Sequence, residues 1–363
     1  MPLLGGFGGD IAVTPASQRS NIPGAMSMKR LERLAAGLQQ KANVREEFTE
    51  RIEARFAGWN GAFGLDPEAC FFEGAETMPA FAGDLTAPTA ADAWWLAELC
   101  RLVYTPDHRE RNQEAYRNLP LREEILAART PFEEVLSIHK TGNHASIYRL
   151  REGGGPTIVC FRGSTRTRQW ILNALFRSHP WRRFRLDGDP GSAFVHSGIY
   201  VILKRVWPLL AETLERSPRP WFFTGHSLGG ALAMLAGALV HPDAVYTFGA
   251  PKAASREFFK IRLGGQIRRF VNGSDLVTRL PLSPEGAASP GRELVHGIPA
   301  IRLLEGGDFG SFGDPAEENV LPFDLKKLAT ELEQAPPWLL DHRMGGYCRK
   351  LREAGERGIL LPE

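Results

Sequence analysis

Hydrophobic and polar positions follow different spacings along this chain. Within residues 28–57, apolar positions recur at close to 3.6 residues among charged ones, which predicts an amphipathic helix or helix pair. A more apolar helix is predicted over residues 94–104. From residue 144 onward, strand-like apolar runs alternate with helical patterns. The runs cover residues 144–150, 157–161, 221–224, 244–248 and 266–271, and the helical patterns cover 199–216, 228–240 and 253–263. This alternation predicts an α/β fold with a mostly parallel central sheet flanked by helices.

The same patterns divide the chain into two predicted parts. Residues 1–88 are expected to form an N-terminal helical extension, in which an irregular start, the amphipathic helix and a linker follow one another. Residues 89–363 are expected to form one α/β domain. The glycine run at residues 153–155 joins two predicted strands, whereas a phosphate-binding loop should open a helix, so we expect a hairpin turn there.

Composition and charge restrict the class of protein. The 363 residues carry a net charge of +2, from 44 basic and 42 acidic side chains, which argues against a nucleic-acid partner. The four cysteines lie far apart, without the clustered ligands of a zinc site, so we expect no metal and no other cofactor. Cys160 lies inside an apolar run and is expected to pack as a small hydrophobic side chain.

The sequence shows no targeting or membrane-spanning pattern. Its N-terminus lacks the basic start and long apolar stretch of a signal peptide. No window approaches the roughly 18 apolar residues that a transmembrane helix needs. We therefore expect a soluble protein without a transmembrane segment, either cytoplasmic or exported without a conventional signal peptide.

A short glycine-flanked sequence carries the first candidate for chemistry. Ser227 lies in Gly225-His226-Ser227-Leu228-Gly229, between a predicted strand and a predicted helix. A nucleophile elbow requires this strand–turn–helix context, because the sharp turn exposes the serine hydroxyl at the N-terminus of the following helix. A Cβ at Gly225 or Gly229 would clash with neighbouring backbone. Ser227 is therefore the predicted nucleophile.

Three histidines follow Ser227 and are candidates for its general base. A serine hydroxyl is a poor nucleophile near neutral pH, so a histidine must accept its proton and an acid must orient that histidine. His241 ends the helix after the elbow and should point away from a site at the strand ends. His342 lies in a loop ahead of a helix and is favoured over His296, which lies in a predicted strand.

Asp275 is the favoured candidate for the acid, which in this fold lies between the serine and the histidine in the chain. It closely follows the strand at 266–271, at the sheet edge where sites in open α/β sheets are built. Asp308, Asp314 and Asp324 lie in or near a polar loop and stay open as alternatives.

Two further residues are candidates for stabilising the charge that develops on a substrate carbonyl oxygen. The first is the Leu228 amide, immediately after the nucleophile. The second is Ser164, in the loop after the strand at 157–161, which can offer both its amide and its hydroxyl. Together they form the predicted oxyanion hole.

Several further motifs occur in a fixed order around these candidates. They are Phe161-Arg162-Gly163-Ser164, Arg168-Gln169-Trp170, Val195-His196-Ser197-Gly198, the Ser227 elbow, Phe248-Gly249-Ala250-Pro251, Asn272-Gly273-Ser274-Asp275 with Arg279-Leu280-Pro281, and Asp341-His342 with Tyr347. Over roughly residues 94–351, the chain thereby resembles the fungal-type (class 3) lipase family of the α/β-hydrolase superfamily.

The resemblance carries expectations for the fold and for individual residues. It implies an α/β-hydrolase fold and a catalytic triad of Ser227, Asp275 and His342. It also implies an oxyanion hole formed by Ser164 and Leu228, and a non-catalytic position for His296. The N-terminal extension departs from the family pattern, as does Lys252, where an arginine is more usual.

An apolar segment lies between the predicted oxyanion loop and Val195. It contains Trp170, Ile171, Leu175 and Phe176, and arginines flank it together with Trp181. In the family this segment looks like the lid, a short helix over the active site. Its composition is typical of an interfacial amphipathic segment and predicts transient contact with lipid–water interfaces. The alternative is a helix packed on the core.

These observations predict a serine esterase, most specifically a triacylglycerol-type lipase that cleaves a lipid or other acyl-ester substrate through an acyl-enzyme. A phospholipase A1 or a feruloyl-type esterase is the alternative among hydrolases, because lid and pocket shape rather than the triad separate them. A catalytically silent lipid-binding scaffold is the alternative of another class. The complete set of Ser227, Asp275 and His342 argues against it.

Overall fold

The structure is a computed structural model that describes residues 70–105, 120–140, 143–163, 181–183, 193–262, 266–281, 294–295, 298–312 and 337–362. Its helices are α1 (Ala90–Leu102), α2 (Arg122–Arg129), α3 (Ser197–Glu215), α4 (Leu228–Val240), α5 (Arg256–Arg262), α6 (Pro337–Leu340) and α7 (Met344–Glu356). Its strands are β1 (Phe132–Lys140), β2 (Asn143–Leu150), β3 (Thr157–Phe161), β4 (Trp181–Arg183), β5 (Phe194–His196), β6 (Trp221–His226), β7 (Ala244–Phe248), β8 (Ala254–Ser255), β9 (Gln266–Asn272), β10 (Leu294–Val295), β11 (Ala300–Leu303) and β12 (Phe309–Phe312).

A central sheet organises the described residues. Its strands lie in the order β1-β2-β3-β6-β7-β9-β11-β12. Neighbours from β3 through β6, β7 and β9 to β11 pair in parallel, and antiparallel pairings add β2 and β1 at one edge and β12 at the other. This architecture confirms the predicted α/β-hydrolase fold, a mostly parallel central sheet flanked by helices.

Helices cover both faces of this sheet. Along β3, Ile158 and Cys160 pack in the same core as α1 and α7, whereas Val159 and Phe161 pack in the core that contains α3 and α4. All five residues of β3 are buried, as expected for a strand covered on both faces. Cys160 is fully buried in an apolar core, as predicted, and the four cysteines are free thiols.

Most of the helices and strands predicted from periodicity occur at the expected places. The bounds of β3, β7 and α4 agree with the prediction at both ends. Helix α1 starts at Ala90, earlier than predicted, because the Thr89 side chain accepts a hydrogen bond from the Asp92 N–H and caps the helix. The predicted helix at 253–263 is wrong at its start, since Ala254–Ser255 forms β8 and α5 begins only at Arg256.

A second, smaller sheet has the strand order β10-β8-β5-β4. Its last strand, Trp181–Arg183, pairs antiparallel with Phe194–His196. Part of the arginine-bearing flank of the predicted lid is therefore a strand in the described structure. The predicted lid residues themselves, Trp170, Ile171, Leu175 and Phe176, lie outside the described residues.

Side chains on both sides of the predicted domain boundary at residue 88 share one core. Phe72 and Phe81, upstream of it, pack with Trp95 and Phe222, with ring centroids 5.8 Å and 5.4 Å apart, respectively. The boundary itself stays a prediction, because residues 1–69, including the predicted amphipathic helix, lie outside the described residues. In the part of the chain that is described, no helix has the length and apolar character needed to cross a bilayer.

Candidate active site

Ser227 lies at the turn between β6 and α4 and has an unusual backbone conformation. Its φ is 56° and its ψ is −129°, a combination that costs energy for any residue other than glycine. The turn is held by hydrogen bonds from the Ser227 N–H to the Phe248 carbonyl (2.9 Å) and from the Gly230 N–H to the Ser227 carbonyl (3.0 Å). A Cβ on Gly225 would collide with the Gly229 main chain, and one on Gly229 with the Phe161 carbonyl, as predicted for an elbow.

The structure brings Ser227, His342 and Asp275 into one hydrogen-bonded line. The distance from Ser227 Oγ to His342 Nε2 is 3.0 Å, and the distance from His342 Nδ1 to Asp275 Oδ2 is 2.8 Å. A carboxylate accepts only, so His342 Nδ1 carries the hydrogen and Nε2 is free to accept the proton of the serine hydroxyl. All three side chains are buried, which excludes competing water from these bonds.

Among the residues that the structure describes, two besides His342 donate to the Asp275 carboxylate. The Tyr347 hydroxyl donates to Oδ2 (2.7 Å), and the Val277 N–H donates to Oδ1 (2.9 Å). Burial, and secondarily the Asp275 charge, raise the pKa of Tyr347 well above its ordinary value, so its phenol stays a donor. Donors on both oxygens stabilise the charged carboxylate in a buried site.

Two loops meet at this point and are tied together beside the triad. Asn272 Nδ2 donates to the Asp341 main-chain oxygen (2.8 Å), and the Ser274 N–H donates to Asp341 Oδ2 (2.8 Å). Asp341 and His342 are consecutive, as are Ser274 and Asp275. The contact between His342 and Asp275 is thus flanked by two bonds between the same loops, which restricts how far the histidine can move from its acid.

His226, directly before the nucleophile, contacts both His342 and Tyr104. Its Nε2 lies 2.8 Å from the main-chain oxygen of His342, and its Nδ1 lies 3.1 Å from the Tyr104 hydroxyl. The His226 and His342 rings pack with centroids 4.6 Å apart. Burial, and secondarily the proximity of His342, lower the pKa of His226 well below its ordinary value, so the ring is neutral near neutral pH.

One of the two predicted oxyanion residues is described. Leu228 is the first residue of α4, and a helix offers no internal partner for its first amides. Ser164 lies outside the described residues. The strand that leads to it, β3, pairs in parallel with β6 and sets Phe161 opposite Gly225. The chain therefore leaves β3 for Ser164 at the sheet edge where Ser227 lies.

The alternative candidates for base and acid that the structure describes have other surroundings than the triad. His241 caps the far end of α4, thirteen residues of helix away from the elbow, as expected for a non-catalytic position. Asp308 pairs with Arg357 on an exposed surface. His296, Asp314 and Asp324 lie outside the described residues. Among the described residues, no group of three or more His, Cys, Asp or Glu side chains could hold a metal ion.

Sequence reasoning assigned no role to Tyr104, His226 or Asp341. Tyr104 precedes His226 by 122 residues, so no local spacing connects the two. His226 and Asp341 each adjoin a predicted triad residue. A polar side chain next to a predicted catalytic residue was the one sequence feature that could have indicated a role for them. Tyr347 occurred among the motifs, but only the structure shows that it contacts the Asp275 carboxylate.

Residues 158–285 match the family model described as lipase (class 3). Over these residues the chain is similar to the class 3 lipases. The matched class 3 lipase segment runs from β3 past the loop after β9 and includes Ser227 and Asp275. His342 lies beyond it and joins the site through the loop before α7.

Relatives of this class 3 lipase segment carry several enzyme names. The chain is 29% identical over 139 residues to a secreted mono- and diacylglycerol lipase of Fusarium solani, covering 34% of this chain and 39% of that protein. It is 27% identical over 155 residues to a chloroplastic phospholipase A1 of Arabidopsis thaliana, covering 36% and 35%. The chain thus spans less than two fifths of either relative. The solved structure of lipase II from Rhizopus niveus aligns at 20% identity over 60% of this chain and 82% of that one, with a TM-score of 0.44.

Proposed function

We propose that this chain is a serine carboxylic ester hydrolase of the lipase type. The observation that carries the proposal is the line of hydrogen bonds from Ser227 Oγ to His342 Nε2 (3.0 Å) and from His342 Nδ1 to Asp275 Oδ2 (2.8 Å). A hydroxyl beside a neutral imidazole, itself oriented by a carboxylate, is suited to nucleophilic acyl transfer. The class 3 lipase match at residues 158–285 supports an ester as the acyl donor.

Acylation begins when Ser227 Oγ attacks the ester carbonyl carbon and its proton passes to His342 Nε2. The carbonyl oxygen becomes an oxyanion, to which the Leu228 amide and Ser164 donate hydrogen bonds. Asp275 holds the tautomer of His342 and stabilises the imidazolium that forms. Collapse of the tetrahedral intermediate breaks the bond to the alcohol, which leaves with the proton from Nε2.

Deacylation repeats these roles with water as the nucleophile. His342 Nε2 takes a proton from water, and the resulting oxygen nucleophile attacks the acyl carbon. The second oxyanion is held by the same donors. Its collapse releases the carboxylic acid, and Ser227 Oγ regains its proton from His342. No step requires an oxidant, a reductant or a metal.

The apolar segment at residues 170–176 supports a water-insoluble ester as the substrate. Ser227 is fully buried, so an ester reaches it only after covering residues move. If Trp170, Leu175 and Phe176 belong to such a cover, as the sequence predicts, a lipid surface can replace the apolar contacts that they lose when the cover moves. Small polar esters offer no such replacement.

The test compares esters that differ in chain length and physical state. Purified chain is assayed on p-nitrophenyl esters of increasing acyl length and on triglyceride emulsions, beside Ser227→Ala. We expect hydrolysis of acyl esters, a preference for emulsified long-chain substrate, and loss of activity in the variant. Absence of hydrolysis on every ester, or full activity in Ser227→Ala, would contradict the proposal.

A phospholipase A1 is the second candidate, because one of the relatives carries that name. The same assay decides between the two if phospholipid emulsions are run beside triglyceride. Release of fatty acid from the phospholipid at the higher rate would favour the phospholipase, and the opposite ratio would favour the triacylglycerol lipase.

A further inference from the structure

His226 contacts the predicted general base at atoms other than the one that Asp275 binds. Asp275 binds the His342 ring through Nδ1, whereas His226 Nε2 lies 2.8 Å from the His342 main-chain oxygen. The two imidazole rings pack at an interplanar angle of 34° with centroids 4.6 Å apart. Asp275 therefore hydrogen-bonds the His342 ring, whereas His226 packs against that ring and donates from Nε2 to the main chain.

The partners of His226 fix which of its nitrogens carries the hydrogen. A carbonyl oxygen only accepts, so Nε2 carries the hydrogen that binds the His342 main chain. In the neutral ring Nδ1 is then an acceptor, and the Tyr104 hydroxyl donates to it over 3.1 Å. Burial raises the pKa of Tyr104, which keeps the phenol protonated. The hydroxyl also lies against Gly163, because a Cβ built on Gly163 would collide with it.

These contacts lead from the predicted oxyanion loop to the predicted base. This chain of contacts runs from the Tyr104 hydroxyl, which lies against Gly163, through the His226 ring to the main chain of His342. Gly163 directly precedes Ser164, and a Cβ built on it would fall 3.3 Å from Ser227 Cβ. The chain therefore passes beside the nucleophile and joins the two parts of the site that must act together on one carbonyl group.

We propose that His226 is a positioning residue for His342 and that Tyr104 fixes the tautomer in which His226 does this. The role rests on the proposed function, because it is defined by proton transfer between Ser227 and His342. The hydrogen bond from His226 fixes the position of the His342 main chain, and the hydrogen bond to Asp275 fixes the orientation of the His342 ring. Together they direct Nε2 at the serine hydroxyl. A misplacement of about 1 Å in such a group can cost roughly 100-fold in rate.

Two amide variants separate positioning from packing. In His226→Gln the side-chain amide nitrogen reaches about as far as Nε2 and keeps a donor for the His342 carbonyl. In His226→Asn the amide lies near the Nδ1 position, so it keeps a partner for Tyr104 but leaves the His342 carbonyl without this donor. Both lose the ring, so a role in packing alone predicts equal effects.

The experiment measures kcat and KM on a soluble short-chain p-nitrophenyl ester, together with the thermal midpoint of each variant. We expect kcat of His226→Asn to fall roughly 10- to 100-fold with KM changed less than about threefold. We expect His226→Gln to recover kcat to within about threefold of the unmodified chain. Equal kcat values in the two variants, or a change confined to KM, would overturn the role.

Tyr104→Phe keeps the aromatic ring and tests the same chain without altering His226. It removes the donor to His226 Nδ1, so the His226 hydrogen can move to Nδ1 and the His342 carbonyl loses its donor part of the time. We expect kcat to fall roughly 3- to 10-fold, and an unchanged kcat would contradict the role of Tyr104. An unmodified chain without any esterase activity would instead remove the proposed function, and the positioning role with it.

Discussion

The hydroxyl of Tyr347 donates to the carboxylate oxygen of Asp275 that also accepts the His342 Nδ1–H. The distances to this oxygen are 2.7 Å from Tyr347 and 2.8 Å from His342. Tyr347 lies on α7, just after the loop that carries His342, whereas Asp275 follows β9. The loop before α7 therefore supplies the base, and α7 itself supplies a second donor to the acid that orients it.

Tyr347→Phe tests this relationship. Losing a hydrogen bond to a charged group should lower the free energy of unfolding by about 1.5–3 kcal/mol. It should also lower kcat on a soluble ester several-fold, because Asp275 is held less firmly. Tyr148→Phe is the matched control, a buried tyrosine of the same core on β2. Equal losses of kcat in the two variants would contradict a role at the site.

Asp275→Asn tests the assignment of the acid. An amide can still accept from the Val277 N–H, but it no longer selects the tautomer of His342 that leaves Nε2 free. We expect kcat to fall roughly 10³- to 10⁴-fold while the protein stays folded. Asp308→Asn, at the exposed alternative position, should stay within about twofold of the unmodified chain. Reversed results would exclude Asp275 as the acid.

The neutral state of His226 predicts a contribution to the pH dependence of stability. Burial and His342 hold its pKa well below the usual 6.5 in the folded protein. As the pH falls below about 6.5, His226 binds a proton in the unfolded chain but not in the folded chain. The free energy of unfolding therefore decreases as the pH falls. This contribution is absent from His226→Gln, so the free energy of unfolding of the variant should decrease less steeply, by about 1.4 kcal/mol per pH unit at most.

Urea unfolding of both proteins from about pH 7 to about pH 5 measures the difference. Among the described residues, the titratable side chains with rings against His226 are Tyr104, His342 and Tyr347, and all three are present in both proteins. The difference between the two curves therefore reports on position 226. Parallel curves would show that His226 is not held neutral by the fold.

The predicted lid is tested by a double substitution of Trp170 and Phe176 with Ser. Loss of apolar surface should weaken contact with a lipid–water interface but leave the chemistry at Ser227 unchanged. Activity on an emulsified long-chain ester should therefore fall more than activity on a soluble short-chain ester. Equal losses on both substrates would argue for a helix packed on the core.

The parts of the fold with a strong local pattern could be predicted from the sequence. β3 and β7 are short apolar runs, and α4 follows the glycine-flanked turn, so periodicity and turn residues define their ends. The order of Ser227, Asp275 and His342 along the chain then restricted the site to a few candidates. A strand of two residues such as Ala254–Ser255 has no local signature, because only its pairing with β5 and β10 makes it a strand.

The hydrogen bonds that support the site were beyond sequence reasoning for a related physical reason. Tyr104 and His226 meet because α1 and β6 pack together, and their contact depends on how the chain returns across the sheet. The main-chain acceptor of His342 is a group that every residue possesses. No pattern of side chains therefore indicates that His226 contacts it.

The central claim is that Ser227 is the nucleophile, and covalent labelling tests it most directly. A fluorophosphonate reacts with an activated serine hydroxyl by losing fluoride, and peptide mass spectrometry locates the adduct. The account predicts one adduct, on the peptide that contains Ser227. It should be absent from Ser227→Ala and retained in Ser217→Ala, a serine remote from the elbow at the end of α3. A native chain that stays unlabelled, or an adduct that persists in Ser227→Ala, would contradict the account.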